Sequence, residues 1–236
     1  MLAGWACAAV FARPAAASVT HFASGISSAN VPVSFKAELT IVGDDLTVVL
    51  TNTSPVASLN PNDVLGSYYF DIVDDANNRP ALTYAGAFGD VYTGHKNNAD
   101  SLYSATMNLM ATASGDNTWQ FRDFDAGLAP FLGFGIGTVG NSNVSPNSFQ
   151  GNIVDGIDYS VYRGDVSSSN LHNKRLVRDS ATFTFSGLTG FSEDDISESF
   201  AFGLGTAPDS FLVPEPAAGL LLGLGVCLLR RRRKAP

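Results

Sequence analysis

The chain has 236 residues, 45% of them hydrophobic and only 15% charged, against roughly 25% charged for an ordinary soluble domain. With 11% aromatics and 23 glycines it is not composed like a disordered chain, and it reads as a packed, turn-rich body coated with Ser, Thr and Asn. The formal charge of −8 is unevenly spread: residues 18–213 hold 21 acidic and 8 basic side chains, a net of −13, which excludes a nucleic-acid binder working through phosphate neutralisation.

Residues 2–11 are apolar, and Ala15-Ala16-Ala17 before Ser18 supplies the small residues that signal peptidase needs. A signal peptide is therefore expected over residues 1–17. No basic n-region precedes the apolar run, so the true start is expected upstream of Met1. Cys7 and Cys227 both fall in segments expected to be removed, which leaves residues 18–213 without a disulfide or a thiolate metal site. A body of that length must be held by its core, and it is long enough to build one.

From residue 34 onward, alternation at period two recurs and helical periodicity is nearly absent. Phe35, Ala37, Leu39 and Ile41 fall on one face, Gly43-Asp44-Asp45 supplies a turn, and residues 46–52 return as a second strand. Further strands are predicted over 67–73, 81–88, 119–124, 131–136, 159–162, 182–185 and 199–204. Residues 100–113 read equally as a short helix or a strand. Turn clusters such as Asn60-Pro61-Asn62-Asp63 separate the runs. The pattern predicts an all-β body over residues 18–209, one domain, folded as an antiparallel β-sandwich or jelly roll.

Motifs with chemical content are sparse. Gly135-Ile136-Gly137-Thr138-Val139-Gly140 matches the dinucleotide-binding glycine pattern, but a polar loop follows it where a helix is required. His21, His95 and His172 accompany no nucleophile elbow or paired-histidine motif, and a solvated loop is the expectation for the last two. Asp71, Asp74, Asp75 and Asn77 offer closely spaced hard oxygens suited to calcium, although their spacing departs from the EF-hand loop and a solvated turn explains them as well. No other cofactor is expected. Tyr68, Tyr69, Tyr84, Tyr92, Tyr103, Trp119, Tyr159 and Tyr162 could stack on sugars if they face solvent.

The C-terminus carries the most specific pattern. Val213-Pro214-Glu215-Pro216 is followed by thirteen uncharged residues, 217–229, and then Arg230, Arg231, Arg232, Arg233 and Lys234. A helix of that length spans about 20 Å, short of a bilayer core of about 30 Å unless arginine stems and Phe211, Leu212 and Val213 extend it. The basic cluster would stay cytoplasmic and leave the acidic body outside. Pro214 and Pro216 stop the helix from running back into the body.

This arrangement resembles the PEP-CTERM sorting signal of Gram-negative bacteria that make extracellular polysaccharide. The resemblance covers residues 213–234, with all three parts in order, and Pro214, Glu215 and Pro216 match the motif residue by residue. It implies processing by an exosortase, a membrane cysteine peptidase, so these residues are another enzyme's substrate rather than a catalytic site. Residues 210–236 are thus expected to be a sorting and anchor segment ending in a separate transmembrane helix. The expected function is a non-enzymatic exported protein, held transiently in the inner membrane and delivered to the cell surface or biofilm matrix. Its expected partners are the exosortase and extracellular polysaccharide. A carbohydrate-binding β-sandwich is the alternative, with calcium as an optional ligand, and a secreted glycan hydrolase or lyase comes third.

Overall fold

The computed structural model describes residues 17–96, 98–110, 119–124, 133–138, 157–165, 170–205 and 211–213. They form twelve strands: β1 (Val19–Ile26), β2 (Pro32–Val42), β3 (Asp45–Asn52), β4 (Leu65–Phe70), β5 (Thr83–His95), β6 (Asn98–Asn108), β7 (Gln120–Asp123), β8 (Phe134–Gly137), β9 (Val161–Tyr162), β10 (Arg175–Ser186), β11 (Ala201–Leu204) and β12 (Phe211–Leu212). Two short 3-10 turns, Pro61–Asp63 and Glu193–Asp195, are the only helical elements among the described residues. The fold is all-β, as the alternation predicts.

The first hairpin forms for the reason its sequence gives. Phe35, Ala37, Leu39, Leu46, Val48 and Leu50 are wholly buried, and the register sets Ala37 opposite Leu50 and Leu39 opposite Val48. Gly43 turns the chain at φ +65°, a conformation that costs glycine nothing.

The strands run in the order β1-β2-β3-β10-β9-β4-β11-β12, with β5 and β6 branching from β10 and β8 and β7 from β4. All pairs are antiparallel except β9 with β10. The two ends of this path meet: a Cβ on Gly25 of β1 would lie 2.7 Å from Leu212 Cδ2 of β12. The sheet therefore curls round its own core, which Phe35, Tyr68, Phe70, Phe134, Phe183 and Phe202 fill with fully buried rings. Burying each such ring contributes roughly 1.5–3 kcal/mol. Every residue of β4 is buried, because Tyr68 and Phe70 join this core while Tyr69 turns the other way, onto Phe124, Ala201 and Phe211.

β9 has two residues and needs outside support. Asn52 Nδ2 donates to the Val161 carbonyl at 3.2 Å. The Arg163 amide donates to Ser58 Oγ at 3.1 Å, and the Ser58 amide to the Arg163 carbonyl at 2.9 Å. These bonds fix β9 beside the first half of β10, while β3 takes the second half.

Phe211 and Leu212 depart from their sequence reading. They pair with Gly203 and Phe202 of β11 instead of lengthening an apolar span, so the sheet extends past residue 209. Phe211 has aromatic and apolar partners in Tyr69 and Phe124, which a neighbouring lipid-like run conceals in a one-dimensional reading. Among the described residues no helix is long and apolar enough to cross a membrane. Residues 1–16 and 214–236, with the signal peptide's apolar run, Pro214-Glu215-Pro216, the span 217–229 and the basic cluster Arg230–Lys234, lie outside the described residues.

Candidate functional site

Asp71, Asp74, Asp75 and Asn77 occupy the turn after β4 but serve different partners. Asp71 Oδ1 accepts from Arg79 Nε at 3.1 Å and from the Ile72 amide at 3.0 Å. Asp74 accepts from the Asn78 amide at 2.7 Å and Asn78 Nδ2 at 2.8 Å. Those bonds, the side-chain one foremost, hold its carboxyl below the usual aspartate range. Asn77 takes the left-handed φ of 63° that closes the turn, and Asp75 is exposed. Among the described residues no three His, Cys, Asp or Glu side chains are grouped to hold a metal. A calcium ion here would share Asp71 with Arg79 and Asp74 with Asn78.

Arg79 organises this corner. Its guanidinium lies 4.2 Å from the Phe134 ring centroid, and Nη2 stands 3.2 Å from Asp123 Oδ1 without the geometry of a hydrogen bond. Gly133 packs directly beneath Arg79 and Asp71, leaving no room for a Cβ. Replacing Arg79 by alanine should lower stability by about 1–3 kcal/mol, read as the urea midpoint, since Asp71 loses a charged donor and Phe134 its cover. Asp123→Asn, at a half-exposed side chain, should cost less than half as much.

A second polar cluster lies where three strands lose register together. β10 aligns Val177 with Val91 of β5 and next aligns Ala181 with Gly89, so residues 178–180 stand opposite Asp90 alone. On the other side, β6 passes from Ser104 opposite Val91 to Met107 opposite Gly89. Both neighbours therefore bulge at Asp90. Asp179 and Thr106 absorb the bends at φ 61° and 47°. Gly89 is required, because a Cβ there would lie 2.6 Å from Val177 Cγ1.

The bulges open a groove of about 230 Å³ lined by Phe88, Asp90, Thr106, Arg178, Ser180 and Thr182, with Gly89 in its wall. The Thr106 amide donates to Asp90 Oδ1 at 2.8 Å. The Arg178 guanidinium lies flat against Tyr92, 3.6 Å from the ring centroid. Its Nε donates to Tyr162 Oη at 2.9 Å and its Nη2 to Asp100 Oδ1, while Tyr162 Oη donates to Asp100 Oδ2. The Asp100 side chain is only 3% exposed, so this is a nearly enclosed carboxylate with its counter-ion in place. Burial works against the Arg178 charge, but the bonds to Asp100 and Tyr162 outweigh it and hold the guanidinium above its usual value. Burial, then the bond to Asp100, raises the Tyr162 phenol. The outcome is a fixed cation, a surface carboxylate and three hydroxyl-bearing side chains beside an exposed ring.

The candidate stacking residues divide sharply. Tyr68, Tyr69, Trp119, Tyr159 and Tyr162 are buried, and Trp119 donates from Nε1 to the Tyr159 carbonyl at 2.9 Å. Tyr84 and Tyr92 are half-buried, and Tyr103 is exposed with Arg175 packed 4.3 Å from its centroid. Gly135 and Gly137 sit in buried strand β8, opposite Tyr69 and Ser67, with no helix between them and residue 138. His95 ends β5 and meets Ser101 Oγ at 2.8 Å rather than standing in a free loop.

No family model and no curated protein matches this chain. Among solved structures, it is similar to the crystal structure of the KRT10-binding region domain of the pneumococcal serine rich repeat protein PsrP. The identity is 16%, over 84% of this chain and 98% of that one, with a TM-score of 0.28. The chemistry of the groove rests on its own geometry.

Proposed function

We propose that this chain is a non-enzymatic exported protein, anchored briefly in the inner membrane by its tail and cut by an exosortase near Pro214-Glu215-Pro216. The body is then released to the surface or the extracellular matrix. The observation that carries this reading is the tail itself: Pro-Glu-Pro, an uncharged stretch and a basic cluster in succession. In the chain it follows directly on Val213, and the last strand of the body, β12, ends at Leu212. In this reading the body is the antiparallel β-sandwich or jelly roll expected from the alternation, its single sheet curling until β12 meets β1. A body without cysteine at residues 18–213 also suits it, because such a body needs no oxidative partner after export.

The test is to fractionate host cells and sequence both termini of the recovered protein. Expected are a mature N-terminus near Ser18 and a C-terminus near Pro214, with the uncut form accumulating when the exosortase is deleted. An intact chain in the cytosol, or unchanged processing in the deletion strain, overturns the reading.

A second reading, a carbohydrate-binding body, is favoured by the groove at Asp90. The buried tyrosines do not support it, but an exposed ring beside a carboxylate, a guanidinium and three hydroxyl-bearing side chains does.

A further inference from the structure

We infer that the groove between β5, β6 and β10 binds one residue of a neutral, hydroxyl-rich sugar chain. The sugar's apolar face stacks on Phe88, and its hydroxyls meet Asp90, Arg178, Ser180 and Thr182. This deepens the carbohydrate-binding reading and rests on it, and it does not depend on how the tail is processed.

The aromatic wall comes first. Phe88 is 41% exposed on the outer face of β5, and a Cβ on Gly86 would lie 3.0 Å from its Cε2. The ring thus leans over a bare backbone position and keeps its other side in water. A ring held this way offers a flat apolar surface at little entropic cost.

The polar groups define the ligand's chemistry. Arg178 cannot swing, since Tyr92 covers one face and Asp100 and Tyr162 take its Nη2 and Nε. Its charge is already matched by Asp100, while Asp90 adds a carboxylate for which no ion pair is seen among the described residues. An anion would meet net repulsion here, inside a body of charge −13. A hydroxyl can donate to Asp90 and accept from a fixed donor, so a ligand bearing several satisfies both kinds of group. The groove's volume of about 230 Å³ falls below the roughly 300–1,000 Å³ of drug-sized sites, which suits a single sugar ring.

Backbone strain gathers at the same place. Thr106 is β-branched, and its φ of 47° makes it a genuine outlier. Such conformations are costly and cluster at ligand clamps. Here the strain serves to aim the Thr106 amide at Asp90, at the point where both neighbouring strands bulge.

The probe is an array of immobilised gluco-, galacto- and manno-oligosaccharides with their uronic-acid counterparts, applied to the full-length chain in detergent. Expected is retention by at least one neutral oligosaccharide, at least fivefold over its uronate. Phe88→Ala should weaken it tenfold or more, and Phe22→Ala, at an exposed ring on distant β1, should leave it unchanged. Should Phe88→Ala not fold, the nearly isosteric Thr182→Val takes its place, with at least threefold weakening expected. Binding to neutral sugars that the groove variants leave intact overturns the groove but not the carbohydrate reading. Binding to none of the neutral sugars overturns both, and preference for uronates overturns the assigned chemistry.

Discussion

Replacing Tyr68 by alanine will remove about 3–5 kcal/mol of stability, the cost of deleting a large buried side chain whose site cannot collapse. Tyr68 is wholly buried at the centre of the ring cluster, with centroids 5.4 Å from Phe70 and 5.2 Å from Phe202. Its strand is covered on both faces, so no neighbour can move into the void without giving up contacts of its own. Tyr68 Oη also meets His21 Nδ1 at 2.5 Å inside the core. Tyr68→Phe keeps the ring and strands the imidazole, which should cost about 1–3 kcal/mol. Urea unfolding of the two variants separates packing from the polar pair. A Tyr68→Ala protein no less stable than Tyr68→Phe would mean that this ring does not organise the core.

Stability should fall as pH drops from about 6.5 to about 4, and His21 is the cause. Burial lowers its pKa from the ordinary 6.5 to about 4, with the Ser197 carbonyl partly offsetting the shift. Between those values the unfolded chain binds a proton on this imidazole and the folded chain does not. The folded state is therefore favoured above pH 6.5, and the advantage is gone below about 4. A shift of that size corresponds to about 3 kcal/mol. The groups facing the ring explain why the charge is unwelcome: Phe200 stacks on it at 4.3 Å, and burial raises the Tyr68 hydroxyl well above its usual range, so it stays protonated and offers an imidazolium no negative charge. Urea midpoints measured across this window should lose most of their slope in His21→Leu. A wild-type midpoint flat from pH 6.5 to 4 would contradict the burial of this side chain.

The hairpin β2–β3 and the Thr-Phe alternation of β10 were legible in the sequence because their apolar residues point inward, as at Phe183 and Phe185. β1 was not, and its pattern is inverted. Phe22 and Ile26 face solvent at 52% and 62% exposure, while His21 and Ala23 face the core. Residues 98–108 stay ambiguous to periodicity because β6, which among the described residues pairs only with β5, is largely exposed on both faces, leaving no apolar stripe to read. β5 runs seven residues past its predicted end at Phe88, since its pairing with β10 resumes beyond the bulge at Asp90.

The groove was invisible for a related reason. Asp90, Arg178 and Thr106 are far apart in sequence and meet only through register shifts, which composition and spacing do not encode. Asp71 and its neighbours show that proximity along the chain does not give arrangement in space: Asp71 faces Arg79, eight residues away, while Asp74 faces Asn78.

The seating of β12 on β11, with Leu212 against Gly25 of β1, has a mechanical consequence. Any tension transmitted along the chain beyond Val213 enters the body through two paired positions, Leu212 with Phe202 and Phe211 with Gly203. Peeling them would pull Phe211 off Tyr69 and Leu212 away from Gly25, unlatching the seam at which the barrel-like wall closes. A pull on the tail would thus load β11 directly, and through Phe202 the Tyr68 ring stacked on it.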